Sequence, residues 1–477
     1  MSVTTSPIYA ETQEEALPHP DRVAEVKASL EAAGVDFVLS CWVDLLGSPK
    51  TKPVPLREFE NLCRGKGPEF AAHSVSMVPE LGPSDPDQVP IPDLDSVMIC
   101  PWDPRVAWVF GDLYTEEKPY NVDPRLVLKR QVKRAAEAGF HVYAGFEPEF
   151  IVCKEENGRI VKAFGEDELL IAGEALKRQP YGYDAEHSLD GLPFLRDVVA
   201  AMDALGWGLS NVVCEGAFSQ FELDYHYSGA VEAADRFVFL RVMLKEIAKK
   251  HGFFVTYMPK PTNGDWRSGA HINHSFARID DLTDNVFSGE NGGWGDLIYP
   301  AVAGQMKHGE AITAVACQTV NSYKGLVGRV AGLEGGTLTW APTHITYGYN
   351  NRSAMIRLPQ RRRAIENRAC DMAVNPHLAL AMTTAASLAG IEQRLDAGQP
   401  MEKPLYDVTP AEQQERGIRR LPRTLIEAIE AFDADPLAKD VLGETMHGMF
   451  SQYKHDEWER FHQTVTEWDQ KEYMKFF

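Results

Sequence analysis

The sequence predicts an α+β fold, with a small β-rich unit first and a larger unit of mixed strands and helices after it. Three observations carry this. The chain has 477 residues, more than one ordinary core accommodates. From Gly82 to Pro104, proline and aspartate recur between short β-like pieces, which suits a small β-rich domain of about a hundred residues. Beyond Asp123, stretches of strand-like alternation and of helical periodicity take turns.

Taken in order, residues 1–18 read as a flexible tail, 19–118 as the small domain and 119–477 as the larger one. Asp21 is placed to cap a helix running to Ala33, with Gly34 ending it. Asp36 to Asp44 is a β-rich run, and Leu45 to Gly47 a turn. Asp123-Pro124 supplies an N-cap and a first-turn proline for a helix to Ala138, and Gly139 closes it. His141 to Cys153 and Gln220 to Tyr225 read as strands, and Val231 to His251 as an amphipathic helix. Asn375-Pro376 opens a further helix rich in alanine and leucine.

Composition narrows the function classes. Against 48 Lys and Arg stand 69 Asp and Glu, a formal net charge of −21. Such a balance disfavours nucleic acid or an anionic membrane as the main partner. No apolar run is long enough to span a bilayer. Met1 to Pro18 lacks the basic-then-apolar pattern of a secretion signal. Seven scattered cysteines with no Cys-x-x-Cys spacing indicate neither a disulfide framework nor a zinc knuckle. A cytoplasmic setting is the expectation.

Four constellations bear on chemistry. In Phe146-Glu147-Pro148-Glu149-Phe150, a strand would aim both carboxylates at one face. Like charges so placed repel unless a cation lies between them, although a solvated strand face would explain them too. Glu215 and Glu222 sit in an apolar stretch, where carboxylates are costly unless paired or metal-bound. Ser268-Gly269-Ala270-His271-Ile272-Asn273-His274 carries an imidazole of a type that binds metals, though a lone histidine is more often structural. Arg352, Arg357, Arg361, Arg362, Arg363 and Arg368, with Glu366 among them, form a basic cluster suited to phosphate or carboxylate.

The order of these elements is more informative than any one of them. Glu-x-Glu, then a Glu pair near a Gln, then Gly-x-His, then Asn351-Arg352-Ser353-Ala354-Met355-Ile356-Arg357, then Ile365-Glu366 to Asn375-Pro376, resembles the glutamine synthetase superfamily. The resemblance runs from about Asp36 to the C-terminus and takes in Tyr257-Met258-Pro259-Lys260-Pro261 and Asn321-Ser322-Tyr323-Lys324. It implies an N-terminal β-grasp domain and a catalytic domain with a curved antiparallel sheet. It also implies a homo-oligomer, commonly a dodecamer of two hexameric rings, with active sites between neighbouring subunits. The implied reaction uses ATP to phosphorylate the γ-carboxylate of glutamate, after which an amine attacks the γ-glutamyl phosphate.

Carried over residue by residue, the resemblance gives one metal site of Glu149, Glu215 and Glu222 and another of Glu147, His271 and Glu366. Oxygen ligands with one imidazole suit Mg²⁺ or Mn²⁺. Asn273, Ser275, Arg352 and Arg357 fall on the nucleotide side, Asn273 standing where the family usually has a second histidine. Arg368 resembles the arginine that holds the reacting γ-carboxylate, so Arg352, Glu366 and Arg368 are the expected catalytic group. Tyr406 resembles a tyrosine adenylylated in some bacterial glutamine synthetases, with packing as its simpler role.

Departures from the family pattern gather around the substrates. Ala71 and Trp340 stand where ammonia-using members carry an Asp and a Glu that bind and deprotonate ammonium. Gly325 replaces an arginine that binds the α-carboxylate of glutamate, and Trp266-Arg267 replaces Asn-Gly. Arg329 or Arg267 is then expected to supply the missing guanidinium. The chain looks closest to γ-glutamylamide synthetases, which join glutamate to a primary organic amine. Trp266 and Trp340 tilt the expectation towards an aromatic amine such as aniline, with alkylamines next. A glutamine synthetase using ammonia is the alternative within the family. A pseudoenzyme that kept only the fold is disfavoured, because all six metal-ligand positions are filled.

Overall fold

The computed structural model of this chain describes residues 8–76, 82–164, 168–171, 174–177, 182–263, 266–329 and 338–476. The first unit is a seven-stranded sheet. At its centre Phe37–Val43 runs parallel to Val106–Thr115 and antiparallel to Pro49–Pro55. The helix Pro20–Ala32 lays Val23, Val26 and Leu30 onto Val38, Phe59 and Val109 of this unit. Asp21 is not its cap. Pro20 takes the first helical position, so the cap falls to His19, whose Nδ1 accepts from the Asp21 amide at 3.3 Å. In the described part of the expected tail most residues are exposed and one, Ala10, is buried. Residues 13–16 form a helical turn, and Ala10 is buried against Ile91 and Tyr114. Residues 1–7 lie outside the described residues.

The second unit is built on an eleven-stranded curled sheet. Its main path runs Asn211–Cys214, Gln220–Asp224, Phe140–Glu156, Ala270–Arg278, Ile365–Asn367, Ala354–Leu358, His344–Tyr349 and Arg419–Arg420. Neighbours are antiparallel except His344–Tyr349 with Ala354–Leu358. The strand Phe140–Glu156 is the spine, bonding to five others. In its first half burial alternates: Val142, Ala144 and Phe146 enter the core, where Phe146 meets Phe237 at 4.5 Å between ring centres. Its odd-numbered side chains, Glu147 and Glu149 included, therefore share the other face. The helices Pro124–Glu137, Ala230–Lys250 and Pro376–Gln393 close the core behind the sheet.

Two joints tie the units together. Arg125, fully buried, reaches Asp93 and Asp112 of the first unit and Asp235 of the second, and Lys129 also bonds to Asp93 and Asp112. Asn375 caps its helix through Oδ1, which accepts from the amides of His377 and Leu378, while its Nδ2 donates to the carbonyls of Asp44 and Leu45. At Gly47, φ is +82° and an added Cβ would lie 2.6 Å from the Asn375 Cα, so the turn needs glycine on both counts. All seven cysteines are buried and free. Among the described residues no helix is long and apolar enough to cross a membrane.

Candidate active site

Strand register gathers the acidic residues. Glu147 lies directly opposite His271, and Glu149 opposite Glu222. Glu366 lies opposite both Asn273 and Arg357. Cross-strand partners share a face, so these groups from five strands project the same way. Glu147 Oε2 is 3.2 Å from His271 Nδ1, and Glu149 Oε1 is 3.7 Å from His271 Nε2. Candidate ligand atoms of Glu147, Glu222 and His271 all lie within 4.8 Å of one another. Glu215, just past Asn211–Cys214, faces the same cavity.

Glu366 is placed differently from the other five. It is fully buried and does not line the cavity. Arg368 Nη1 donates to one carboxylate oxygen at 2.6 Å, and Arg357 Nη1 and Arg362 Nη2 to the other at 2.7 and 3.2 Å. In this arrangement Glu366 organises three arginines beneath the site. Arg362 also bonds to Glu147. The basic cluster in the sequence contained Arg362, but nothing there assigned it this bridging position.

The electrostatics fit a cation. Burial and the neighbouring Glu147, Glu149 and Glu215 push the Glu222 carboxyl well up. Burial and Glu215 push Glu149 up to about 8. Glu147 is held low despite its burial, because His271 and Arg362 bond to it. His271 is pushed down to about 4 by burial and by Arg368, which leaves its imidazole neutral and able to ligate. Buried carboxylates, Glu149 and Glu222 raised by burial and then by mutual repulsion, with one neutral imidazole, form a donor set suited to Mg²⁺ or Mn²⁺.

The cavity over this face measures about 1000 Å³. Arg352, Arg357 and Arg368 line it together with Trp266, Arg267 and Trp340. Trp266 rests flat on Gly216: a Cβ there would fall 2.2 Å from its indole. Trp340 is half exposed at φ +57° and also borders a second cavity of about 360 Å³. Its carbonyl accepts from Arg368 Nη2 at 3.3 Å, and that of Ala341 accepts from the Tyr406 hydroxyl at 2.8 Å. Tyr406 thus props the loop that carries Trp340.

The remaining sequence candidates scatter. Asn273 stands beside Glu147 and donates to it at 3.0 Å. Ser275, two residues further along that strand, does not line the cavity. Ala71 sits in the first unit's sheet, paired with Asp87, so one chain alone does not bring it to Trp340. Arg329 is also off the cavity, with its guanidinium 3.1 Å from Asp407. Arg267 lines the cavity: Nη2 donates to the Cys370 carbonyl and lies 4.0 Å from Asp371 Oδ2, while Nε and Nη1 are buried with no hydrogen-bond partner among the described residues. Gly325 leaves room for it, since a Cβ at 325 would lie 2.8 Å from the Arg267 Cβ.

Comparison with known proteins gives the family. Residues 121–473 match the glutamine synthetase catalytic domain family. A glutamate–methylamine ligase of Methyloversatilis universalis is 33% identical over 461 residues, covering 95% of this chain and 99% of that protein. A glutamine synthetase of Thermus thermophilus is 34% identical over 464 residues, covering 94% and 98%. Among solved structures, a GmaS complex with ADP superimposes with a TM-score of 0.84 at 31% identity, covering 94% of this chain and 99% of that one.

Proposed function

Because this chain belongs to the glutamine synthetase family, we propose that it is an ATP-dependent ligase that joins L-glutamate to a primary organic amine. The glutamate γ-carboxylate attacks the γ-phosphorus of ATP and ADP leaves. The amine nitrogen then attacks the γ-glutamyl carbon and loses a proton, and phosphate leaves with that proton and the former carboxylate oxygen. Activation is required because a carboxylate is a poor electrophile.

Glu147, Glu149, Glu215, Glu222 and His271 would hold the divalent cations, with Glu366 joining them if the arginines release it. Such ions neutralise phosphate oxygens during phosphoryl transfer. Arg352, Arg357 and Arg368 line the cavity and would bind the anionic phosphate and γ-carboxylate groups. Their bonds to the buried Glu366 fix Arg357 and Arg368 before substrate arrives, which limits reorganisation during the reaction. Asn273 would help orient the nucleotide end, with Ser275 behind it.

The observation that carries the acceptor assignment is Trp340. It stands on the cavity wall where the family pattern calls for a glutamate that deprotonates ammonium. An indole stabilises an organic substituent by burial and stacking, and offers ammonium only a weak cation–π contact. An arylamine needs no such base because it arrives neutral, so aromatic amines such as aniline are the favoured class, ahead of alkylamines. The test is kcat/KM for ammonia, methylamine, isopropylamine and aniline. An organic amine should lead. If ammonia leads, the chain is an atypical glutamine synthetase.

For the donor, Arg267 is the better candidate for the α-carboxylate: it lines the cavity and has unpartnered guanidinium nitrogens, whereas Arg329 stands outside. The assembly would be a ring, commonly of twelve subunits, in which a neighbour brings its Ala71 to this cavity. Sedimentation or native mass measurement tests that.

A further inference from the structure

Gln220 has no exposed surface and bonds to three parts of the site at once. Its Nε2 donates to Glu149 Oε2 at 3.3 Å and to the Arg267 carbonyl at 2.8 Å. Its Oε1 accepts from the Ala217 amide at 3.1 Å. Glu149 Oε2 also accepts from the Gly269 amide at 2.9 Å. Two N–H donors thus occupy Oε2, and the other oxygen, Oε1, is the one that lies 3.7 Å from His271 Nε2. The carboxylate is turned so that one oxygen belongs to the protein and the other faces the acidic cluster.

The turn that delivers Gln220 is itself held. Ser219 adopts φ +61°; its amide donates to His187 Nε2 at 2.7 Å and its hydroxyl to the Phe164 carbonyl at 2.9 Å. The Glu215 amide donates to the Gln220 carbonyl at 3.0 Å, so the same turn carries a second acidic residue. One amide side chain therefore links Glu149, the Glu215–Gln220 turn and the Trp266–Ser268 segment.

We infer that Gln220 is a positioning residue for the cation site. It presents Glu149 Oε1 to the ion and keys the Arg267 backbone to the same frame. The inference rests on the metal-site reading above. Partners of this kind around metal ligands alter metal affinity by about tenfold to a hundredfold when removed. Replacing the amide with a side chain of similar length and no donors frees Glu149 to rotate while keeping the volume filled.

The experiment is Mn²⁺ binding to the nucleotide-free chain, by calorimetry or by loss of the free-ion paramagnetic resonance signal. Gln220→Met should raise the Mn²⁺ dissociation constant about tenfold or more, with circular dichroism unchanged. In turnover assays it should raise the metal concentration for half activity more than it lowers kcat at saturating metal. Gln305→Met is the control: Gln305 is equally buried but bonds to Ser387, away from the site, and the change should leave Mn²⁺ affinity unaltered. Should Gln220→Met not fold, Gln220→Leu also removes both donated bonds and carries the same expectation. Mn²⁺ affinity within twofold of the unmodified chain in a folded variant overturns this inference alone. No Mn²⁺ binding by the unmodified chain overturns the metal-site reading and this inference with it.

Discussion

At Glu222 the conflict between burial and charge is sharpest. It is pushed well up by burial and by four neighbouring carboxylates, Glu147, Glu149, Glu215 and Asp224. Neutralising it should relieve repulsion when no cation is bound and remove a ligand when one is. Glu222→Gln is therefore expected to raise the metal-free melting temperature by about 1–2 °C and to weaken Mn²⁺ binding. Melting curves with and without Mn²⁺ should cross over in rank. Trp340 makes the complementary case for selectivity. Trp340→Glu restores a carboxylate to a wall that an indole now covers, so kcat/KM for an organic amine relative to ammonia should fall about tenfold or more. Arg267→Ala should raise the KM for glutamate with little effect on that for ATP, as loss of ground-state binding does. An unchanged glutamate KM would remove Arg267 from donor recognition.

Elements decide which of these residues could be read from the sequence. The Glu147 and Glu149 pair was legible because alternation along a strand is a local rule. The helix at Asp123-Pro124 and the cap at Asn375 were legible for the same reason. His19 displaced Asp21 as a cap because Pro20 took the first turn, a one-residue competition that pattern alone resolves poorly. The burial of Ala10 depends on Ile91 and Tyr114, far along the chain, and no local signal announces it. Gln220 and Arg362 act by reach across strands, which periodicity does not encode. Glycine at 216 belongs to this class: the reason for it is an indole fifty residues away. Gly216→Ala should displace Trp266 from its backbone seat. A shift in tryptophan emission together with an altered substrate KM, in a chain of unchanged circular dichroism, is the expected pair of readings.

Across the whole molecule, the two units are joined by charge as much as by apolar contact. Arg125 offsets three buried aspartates drawn from both units. Removing it leaves Asp93 and Asp112 to Lys129 alone and Asp235 to His377, and breaking such a network costs roughly 3–5 kcal/mol. Arg125→Met should lower the urea midpoint accordingly, in one transition if the units unfold together. The register of the central sheet has an implication for how such a chain changes over time. A one-residue slip in any of the strands around Phe140–Glu156 would turn its carboxylate or imidazole to the opposite side, so single insertions there are lethal to chemistry. The Trp340 segment sits outside that constraint, on a loop propped by Tyr406. Under the proposed function, variation there would trade one nucleophile for another and spare phosphoryl transfer. A mutational library confined to residues 338–342 should yield altered acceptor preference far more often than loss of ATP turnover, and one spread over residues 145–151 the reverse.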